Sequence, residues 1–191
     1  MNRPAAIPLP FVTSSAGKLE EAQAILPLPL QGVALELEEL QTFDLEALVR
    51  HKAAQAFRRL GAPLLVEDTS LGFRAWGGLP GPFIKFFLAG LGPGGLSRAL
   101  EPGGDMAAEA ICGVGYHDGW RLRYFEGRAK GRIVAPRGEG GFGWDAIFLP
   151  EGSERTFAEM KPEEKHARSM RGQALRRLAE FLEKPGTAPQ G

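Results

Sequence analysis

Two adjacent carboxylates, Glu67 and Asp68, stand where they could do chemistry together. They lie at the end of an apolar strand that the sequence predicts over residues 63–67. Ligand sites in α/β proteins gather at the carboxyl ends of strands, and at such an end two neighbouring side chains can reach one site. The alternative is a solvated turn, because Asp-Thr-Ser is common turn chemistry. The pair therefore indicates an acidic site, with the turn as the competing interpretation.

Any metal bound at such a site would have oxygen ligands. Glu38 and Glu39 also follow a strand-like stretch and bring further carboxylates to a strand end. Histidine and cysteine show no ligand spacing; these residues are His51, His117, His166 and Cys112. Carboxylate ligands favour Mg²⁺, with Mn²⁺ as a substitute, over zinc.

Three cations occupy positions at which apolar side chains are expected. Lys52 falls within the apolar face of a helix predicted over residues 45–60, and Arg171 within the apolar face of the last predicted helix. Lys85 is flanked by apolar residues on both sides. A cation that points inward needs an anionic partner, because burying an unpaired charge is costly. The three cations therefore suggest a shared anionic ligand, unless each side chain extends past the core to water.

The segment TSSAGK, residues 13–18, is a turn of small residues that leads into a predicted helix. Backbone N–H groups at such a turn can bind an anion, and Lys18 adds a positive charge. It is not a Walker A motif, because the upstream glycine is absent and Leu19 follows the lysine. By itself this pattern predicts only a weak phosphate site.

The elements that would position these residues alternate between strands and helices and then form a hairpin. This order predicts an α/β fold with a mixed sheet. The Asp118-Gly119 turn is a strong hairpin signal, and Asp44 can cap a helix. The first predicted strand ends at Val12, and the others cover residues 33–40, 63–67, 109–116, 120–127 and 147–148. The predicted helices cover residues 18–26, 45–60, 83–91 and 162–182. Residues 68–82 are predicted to form a glycine-rich loop. Residues 1–182 would be one domain, and 183–191 a disordered tail.

Composition narrows the classes of function. The 191 residues contain 23 Lys plus Arg and 23 Asp plus Glu, so the net charge is zero and a dedicated nucleic-acid binder is disfavoured. No apolar run approaches the roughly 18 residues of a membrane span, and three prolines interrupt the apolar N-terminus, which argues against a signal peptide. With a single cysteine as well, we expect a cytoplasmic protein without a membrane partner.

Four segments together resemble the inosine triphosphate pyrophosphatase family, in that family's order and spacing. They read FVTSSAGKLEEA, VEDTSLGFRAWGGLPGPFIKFF, GRIVAPRGEGGFGWD and TFAEMKPEEKHARSMR. The versions found here look closer to eukaryotic sequences than to bacterial ones. The resemblance implies an elongated mixed β-sheet flanked by helices, with two lobes and an active-site cleft between them. It also implies a homodimer that hydrolyses purine nucleoside triphosphates such as ITP, dITP and XTP, with Mg²⁺, to the monophosphate and pyrophosphate.

The resemblance also implies a role for each matching residue. Asp68 would bind the metal and orient or deprotonate the attacking water, Glu67 would assist, and Glu39 would bind the metal. Phosphate contacts would come from Thr13, Ser14, Ser15, Ala16, Gly17, Lys18, Lys52, Thr69 and Lys85. The base would lie against Phe142, Gly143, Trp144 and Asp145, and the nucleotide would also contact Lys165, Met170 and Arg171.

Three positions depart from the family's motifs. Ser15 and His166 each replace an asparagine, and Met170 replaces a histidine that helps to read the purine 6-oxo group. These changes bear on base selectivity more than on hydrolysis. They leave two alternatives open, a pyrophosphatase of altered base specificity and a catalytically inactive nucleotide-binding protein. Retained carboxylates beside a triphosphate argue against the second. Met170 is also compatible with a plain core position.

Overall fold

One mixed sheet of seven strands forms the centre of the computed structural model, which describes residues 7–100 and 104–184. The spatial order is β2-β1-β3-β5-β6-β7, and β4 pairs with β3. β1 runs parallel to both β2 and β3, whereas the other pairs are antiparallel. The strands are β1 Leu9–Val12, β2 Leu30–Val33, β3 Leu64–Phe73, β4 Pro80–Gly81, β5 Ala107–His117, β6 Leu122–Ile133 and β7 Phe148–Pro150. The predicted α/β class and mixed sheet are confirmed.

Five α-helices cover this sheet within the described residues. They are α1 Ala16–Ile25, α2 Leu45–Leu60, α3 Ile84–Arg98, α4 Pro162–Arg168 and α5 Met170–Leu182. α2 has the predicted bounds because both of its ends are capped. The Asp44 carboxylate accepts a hydrogen bond from the Ala47 N–H at 3.0 Å, and Gly61 ends the helix with φ 62°.

The two faces of the sheet bury separate cores. α2 packs Val49 and Ala53 against Val66 of β3 on one face. On the other face, α1 and α5 pack around Leu65 and Leu71, which alternate with the residues facing α2. The site residues of β3 therefore project alternately toward two different helical layers.

Two sequence predictions, one for residues 33–40 and one for residues 68–82, are wrong. β2 ends at Val33, so residues 34–40 form no strand, because β1 offers no partner beyond Val12. The alternation in 33–40 has another cause, since Leu35 and Leu37 pack against the α2 core. Residues 68–82 are not one loop either, because β3 continues to Phe73 and pairs with β5 along its whole length.

The last predicted helix is two helices that meet at Ser169. This residue is extended, with φ −72° and ψ 154°, and its hydroxyl accepts a hydrogen bond from the Gly172 N–H at 3.0 Å. The first turn of α5 then lies directly on β6. The two elements are so close at Gly127 that a side chain there would overlap the Met170 carbonyl. The break places the start of α5, and Arg171 with it, against the sheet.

In the part of the chain that the structure describes, no helix combines the length and the apolar character needed to cross a membrane. The N-terminal residues 1–6 and most of the predicted tail, 185–191, lie outside the described residues.

Candidate active site

A cleft of about 680 Å³ collects most of the predicted site residues. It opens between the end of β1, residues 35–39, α2, the middle of β3, the start of α3 and the start of α5. The predicted residues that line it are Thr13, Ser14, Ser15, Lys18, Glu39, Lys52, Glu67, Asp68, Thr69, Lys85, Phe142, Gly143, Trp144, Asp145, Met170 and Arg171. Ala16, Gly17 and Lys165 do not line it. A larger groove of about 930 Å³ lies elsewhere on the sheet and is lined by none of the predicted residues.

Glu67 and Asp68 enter different charge clusters, because β3 continues past them and their side chains leave opposite faces of the strand. The Glu67 side chain is 1% exposed and accepts two hydrogen bonds from Arg171, at 2.8 and 3.0 Å. Lys18 lies 3.2 Å from the same carboxylate. Burial alone would raise the pKa of Glu67, but Arg171 and Lys18 outweigh it and lower the pKa to about 2. Such a carboxylate stays ionised and is a weak base.

Asp68 faces α2 and is more accessible, with 16% of its side chain exposed. Its Oδ1 accepts a hydrogen bond from the Thr69 N–H at 2.9 Å, and its Oδ2 lies 2.7 Å from the Lys52 Nζ. Lys52 is the cation that helix periodicity placed inside the apolar face of α2. Its ion pair with Asp68 satisfies the requirement for an anionic partner.

Glu39 completes this outer cluster. Gln55 of α2 holds the preceding residue, since its side chain donates to the Glu38 carbonyl at 2.8 Å and accepts from the Glu38 N–H at 3.1 Å. Glu39 then pairs with Lys85 and lies 4.0 Å from the Lys52 Nζ. Lys85 is 50% exposed, so its side chain extends past the apolar residues that flank it, which is the alternative that the sequence left open, and it still has an anionic partner in Glu39.

The Lys52 ammonium thus stands between two carboxylates, Asp68 and Glu39. This donor set fits a hard divalent cation such as Mg²⁺. Among the described residues, no group of three or more acidic, histidine or cysteine side chains could hold a metal. The two carboxylates would therefore need oxygens from a ligand or from water to complete the coordination.

A second cluster is buried and runs as a chain of alternating charges. Arg171 connects Glu67 to Glu21, which accepts from its Nη1 at 2.6 Å. Glu21 also accepts from the Lys165 Nζ at 2.6 Å, and the same ammonium donates to Asp145 at 2.6 Å. Burial alone would raise the pKa of Glu21, but Arg171 and Lys165 lower it below the usual value. Removing one member of such a chain would leave a buried charge without its partner.

Phe142 lies over this buried chain. The Lys165 Nζ is 4.7 Å from its ring centroid and the Arg171 guanidinium carbon 5.1 Å, which are cation–π distances. The ring also fills the space at Gly17, where a Cβ would overlap it. Asp145 fixes the loop, because its Oδ2 accepts from the Phe142 N–H at 2.7 Å. The loop predicted to bind the base is therefore tied to both the turn of residues 13–18 and the buried charges.

Known proteins of similar sequence and structure place this arrangement in a family. The family model described as Ham1 family matches residues 9–181. The chain belongs to the Ham1 family. It is 46% identical over 187 residues to the inosine triphosphate pyrophosphatase of Giardia intestinalis, covering 95% of this chain and 96% of that protein. The enzyme of the same name from Aspergillus fumigatus is 43% identical, with coverages of 96% and 98%.

A solved structure supports the same fold. The HAM1 protein of Coxiella burnetii superposes with a TM-score of 0.77 at 29% identity, and the match covers 91% of this chain and 98% of that one.

Within this Ham1 family chain, Ser15 has a structural role. Its hydroxyl caps α1, accepting from the Lys18 N–H at 3.4 Å, and its own N–H donates to the Thr13 hydroxyl at 3.1 Å. Ser15 thereby fixes the turn that presents Lys18 to Glu67. The helix that begins here also carries Glu21 inward.

Met170 and Arg171 lie side by side at the start of α5. Met170 is 2% exposed and belongs to the core, yet it also lines the cleft. Each nitrogen of the Arg171 guanidinium already donates to a carboxylate, so the side chain is less free to read a base than the sequence suggested.

Glu21 is the one member of the buried chain that sequence reasoning missed. The sequence signals that indicated buried charges were all cations, whereas Glu21 is a carboxylate. On α1, Glu21 lies one turn after Lys18 and next to Ala22, which is fully buried. The same periodicity test applied to carboxylates on α1 would have found it.

Proposed function

We propose that this chain hydrolyses purine nucleoside triphosphates with non-standard bases, such as ITP, dITP and XTP, to the monophosphate and pyrophosphate, with Mg²⁺ or Mn²⁺ bound. The observation that carries the proposal is the outer cluster, in which Asp68 and Glu39 flank the ammonium of Lys52 at one end of the cleft. The names of the Giardia and Aspergillus relatives state inosine triphosphate as the substrate of those enzymes. Clearing damaged purines from the nucleotide pool would be the resulting role.

Residues of the cleft would divide the work between phosphates, water and base. Lys18, Lys52 and Lys85 would bind phosphate oxygens. The part of the turn that lines the cleft, residues 13–15, and the Thr69 hydroxyl would add further contacts. Phe142 offers a face on which a base can stack. Trp144 is buried against Phe148, with ring centroids 5.4 Å apart, so its ring would support the loop.

Hydrolysis would proceed by attack of water on the α-phosphorus. The new bond forms between the water oxygen and that phosphorus, the bond to the bridging oxygen breaks, and pyrophosphate leaves. Asp68 would orient the water and accept its proton. Mg²⁺ held by Glu39 and Asp68 would supply neutralisation of the charge on the phosphate oxygens. The lysines would neutralise the rest.

Products identify this reaction. We expect ITP incubated with protein and Mg²⁺ to give IMP and pyrophosphate in equal amounts, without orthophosphate. Nucleoside diphosphate plus orthophosphate as the first products would refute the proposal. A protein that binds ITP with no turnover would instead be the inactive binder.

Altered base specificity is the second candidate, and Met170 favours it. A thioether cannot donate a hydrogen bond to a 6-oxo group. The same assay on ITP, XTP, ATP and GTP separates this candidate from the first. A ratio of kcat/KM for ITP over ATP near one would favour altered specificity.

We further propose a homodimer located in the cytoplasm. The homodimer rests on the family resemblance, and the buried free thiol of Cys112 is consistent with a reducing compartment. Light scattering after gel filtration tests the first, where a monomer mass would contradict it. Cell fractionation tests the second.

A further inference from the structure

Both carboxylates of the proposed metal site are already paired with lysines. Asp68 lies 2.7 Å from the Lys52 Nζ, with 16% of each side chain exposed. Glu39 pairs with Lys85, and its second oxygen lies 4.0 Å from Lys52. Two cations and two anions thus form a neutral cluster. A free divalent cation that approached these carboxylates would meet two ammonium groups at the same place.

The protein also contributes too few oxygens to hold a metal alone. Among residues 7–100 and 104–184, no cluster of three potential ligand side chains is present. Mg²⁺ prefers six oxygens and commonly takes part of them from substrate phosphates. Two carboxylates occupied by lysines are therefore a poor site for a free ion.

The lysines that cover the carboxylates are the same ones that the proposed function assigns to phosphate. A triphosphate would attract Lys52 and Lys85 toward its own oxygens, and each lysine that moves would release a carboxylate. Gln55 holds the backbone of Glu38 on α2, and the Thr69 N–H donates to the Asp68 Oδ1, so the two carboxylates can stay in place while the lysines change partner.

We infer that Lys52, assisted by Lys85, masks the metal site until a nucleoside triphosphate draws these lysines away. This inference rests on the proposed function for the assignment of both lysines to phosphate. Metal and nucleotide then promote each other's binding, and the free protein has low affinity for the ion. Such coupling is reciprocal by thermodynamic necessity.

Binding of Mn²⁺ to the nucleotide-free protein, followed by electron paramagnetic resonance, tests the masking directly. We expect Lys52→Gln to bind Mn²⁺ at least about tenfold more tightly than the unmodified chain, equivalent to about 1.4 kcal/mol. Lys85→Gln should give a smaller gain, because Lys85 is half exposed. Lys130→Gln is the matched control, since Lys130 is exposed on β6 and forms no ion pair within the described residues. It should leave the affinity unchanged.

A double variant locates the site of any gain. Adding Asp68→Asn to Lys52→Gln should return Mn²⁺ affinity to that of the unmodified chain or lower. Circular dichroism checks the fold, and if Lys52→Gln does not fold, Lys52→Met and Lys85→Gln carry the test. Equal Mn²⁺ affinity of the unmodified chain and the folded lysine variants would overturn the inference.

Hydrolysis of ITP by the unmodified chain separates the two proposals. Hydrolysis to IMP and pyrophosphate without any gain in Mn²⁺ affinity would overturn the masking and leave the proposed function standing. A gain in Mn²⁺ affinity without hydrolysis would support the masking and refute the proposed activity.

Discussion

Replacing Glu21 with glutamine tests whether the buried charge chain holds the site together. Glu21 accepts hydrogen bonds from the Arg171 Nη1 and from the Lys165 Nζ, each at 2.6 Å, and both of these cations are buried. Removing one partner of a buried ion pair typically costs about 3–5 kcal/mol. Here Lys165 keeps Asp145, Arg171 keeps Glu67, and glutamine retains one acceptor oxygen. We therefore expect a loss of about 2 kcal/mol in the free energy of unfolding.

Thermal unfolding followed by circular dichroism measures this loss. For a domain of this size, 2 kcal/mol corresponds to a fall in Tm of about 4–8 °C. Glu46→Gln is the matched control, because Glu46 forms an exposed pair with Arg50 one turn away on α2. Such pairs contribute about 0.3–0.5 kcal/mol, so the control should shift Tm by only about 1–2 °C. If Glu21→Gln melts within the range of the control, the buried chain does not stabilise the fold as argued.

Three further predictions concern catalysis, specificity and pH. Asp68→Asn keeps the size and removes the charge, so kcat should fall by at least about 10² with the fold intact; a folded variant with near-normal turnover would remove Asp68 from the mechanism. Met170→His restores a hydrogen-bonding side chain and should raise the ratio of kcat/KM for ITP over ATP; an unchanged ratio would make Met170 a core residue only. Glu67 has its folded pKa lowered from 4.5 to about 2, so its contribution is complete above about pH 4.5 and lost as the pH falls toward 2. Urea unfolding should show this loss of about 3 kcal/mol, and Glu67→Gln should flatten it; an equally steep acid limb in the variant would count against the assignment.

Local sequence signals were sufficient to predict an element where turn or capping residues mark its ends. The Asp118-Gly119 turn located the hairpin of β5 and β6, and Asp44 located the start of α2. Periodicity identified Lys52 and Arg171 as inward cations, and both form ion pairs with site carboxylates. These features depend on residues a few positions apart, so the sequence contains the information directly.

Signals failed where distant partners decide the structure. Residues 68–73 look like a loop because they are polar and rich in small residues, yet pairing with β5 extends them as a strand. Residues 33–40 alternate like a strand, yet no neighbour is available and Leu35 and Leu37 pack on α2 instead. No proline or glycine at position 169 indicates the helix break there. The break is accompanied by close packing of α5 on Gly127.

The roles of the site residues depend on similarity as much as on geometry. The cleft brings Asp68, Glu39 and Lys52 together, an arrangement that a phosphate site and a structural ion-pair network have in common. The reaction class comes from the four motif segments and from the inosine triphosphate pyrophosphatases of Giardia and Aspergillus that the chain resembles. The motif departures are then interpretable, because the Ser15 hydroxyl caps α1 and Met170 lines the cleft from a buried position.

Isotope labelling tests the central claim most directly. ITP is hydrolysed by the protein with Mg²⁺ in water enriched in ¹⁸O, and mass spectrometry locates the label in the products. Attack on the α-phosphorus, with Asp68 orienting the water, predicts one ¹⁸O in IMP and none in pyrophosphate. Label in pyrophosphate would mean attack on the β-phosphorus and would contradict the account.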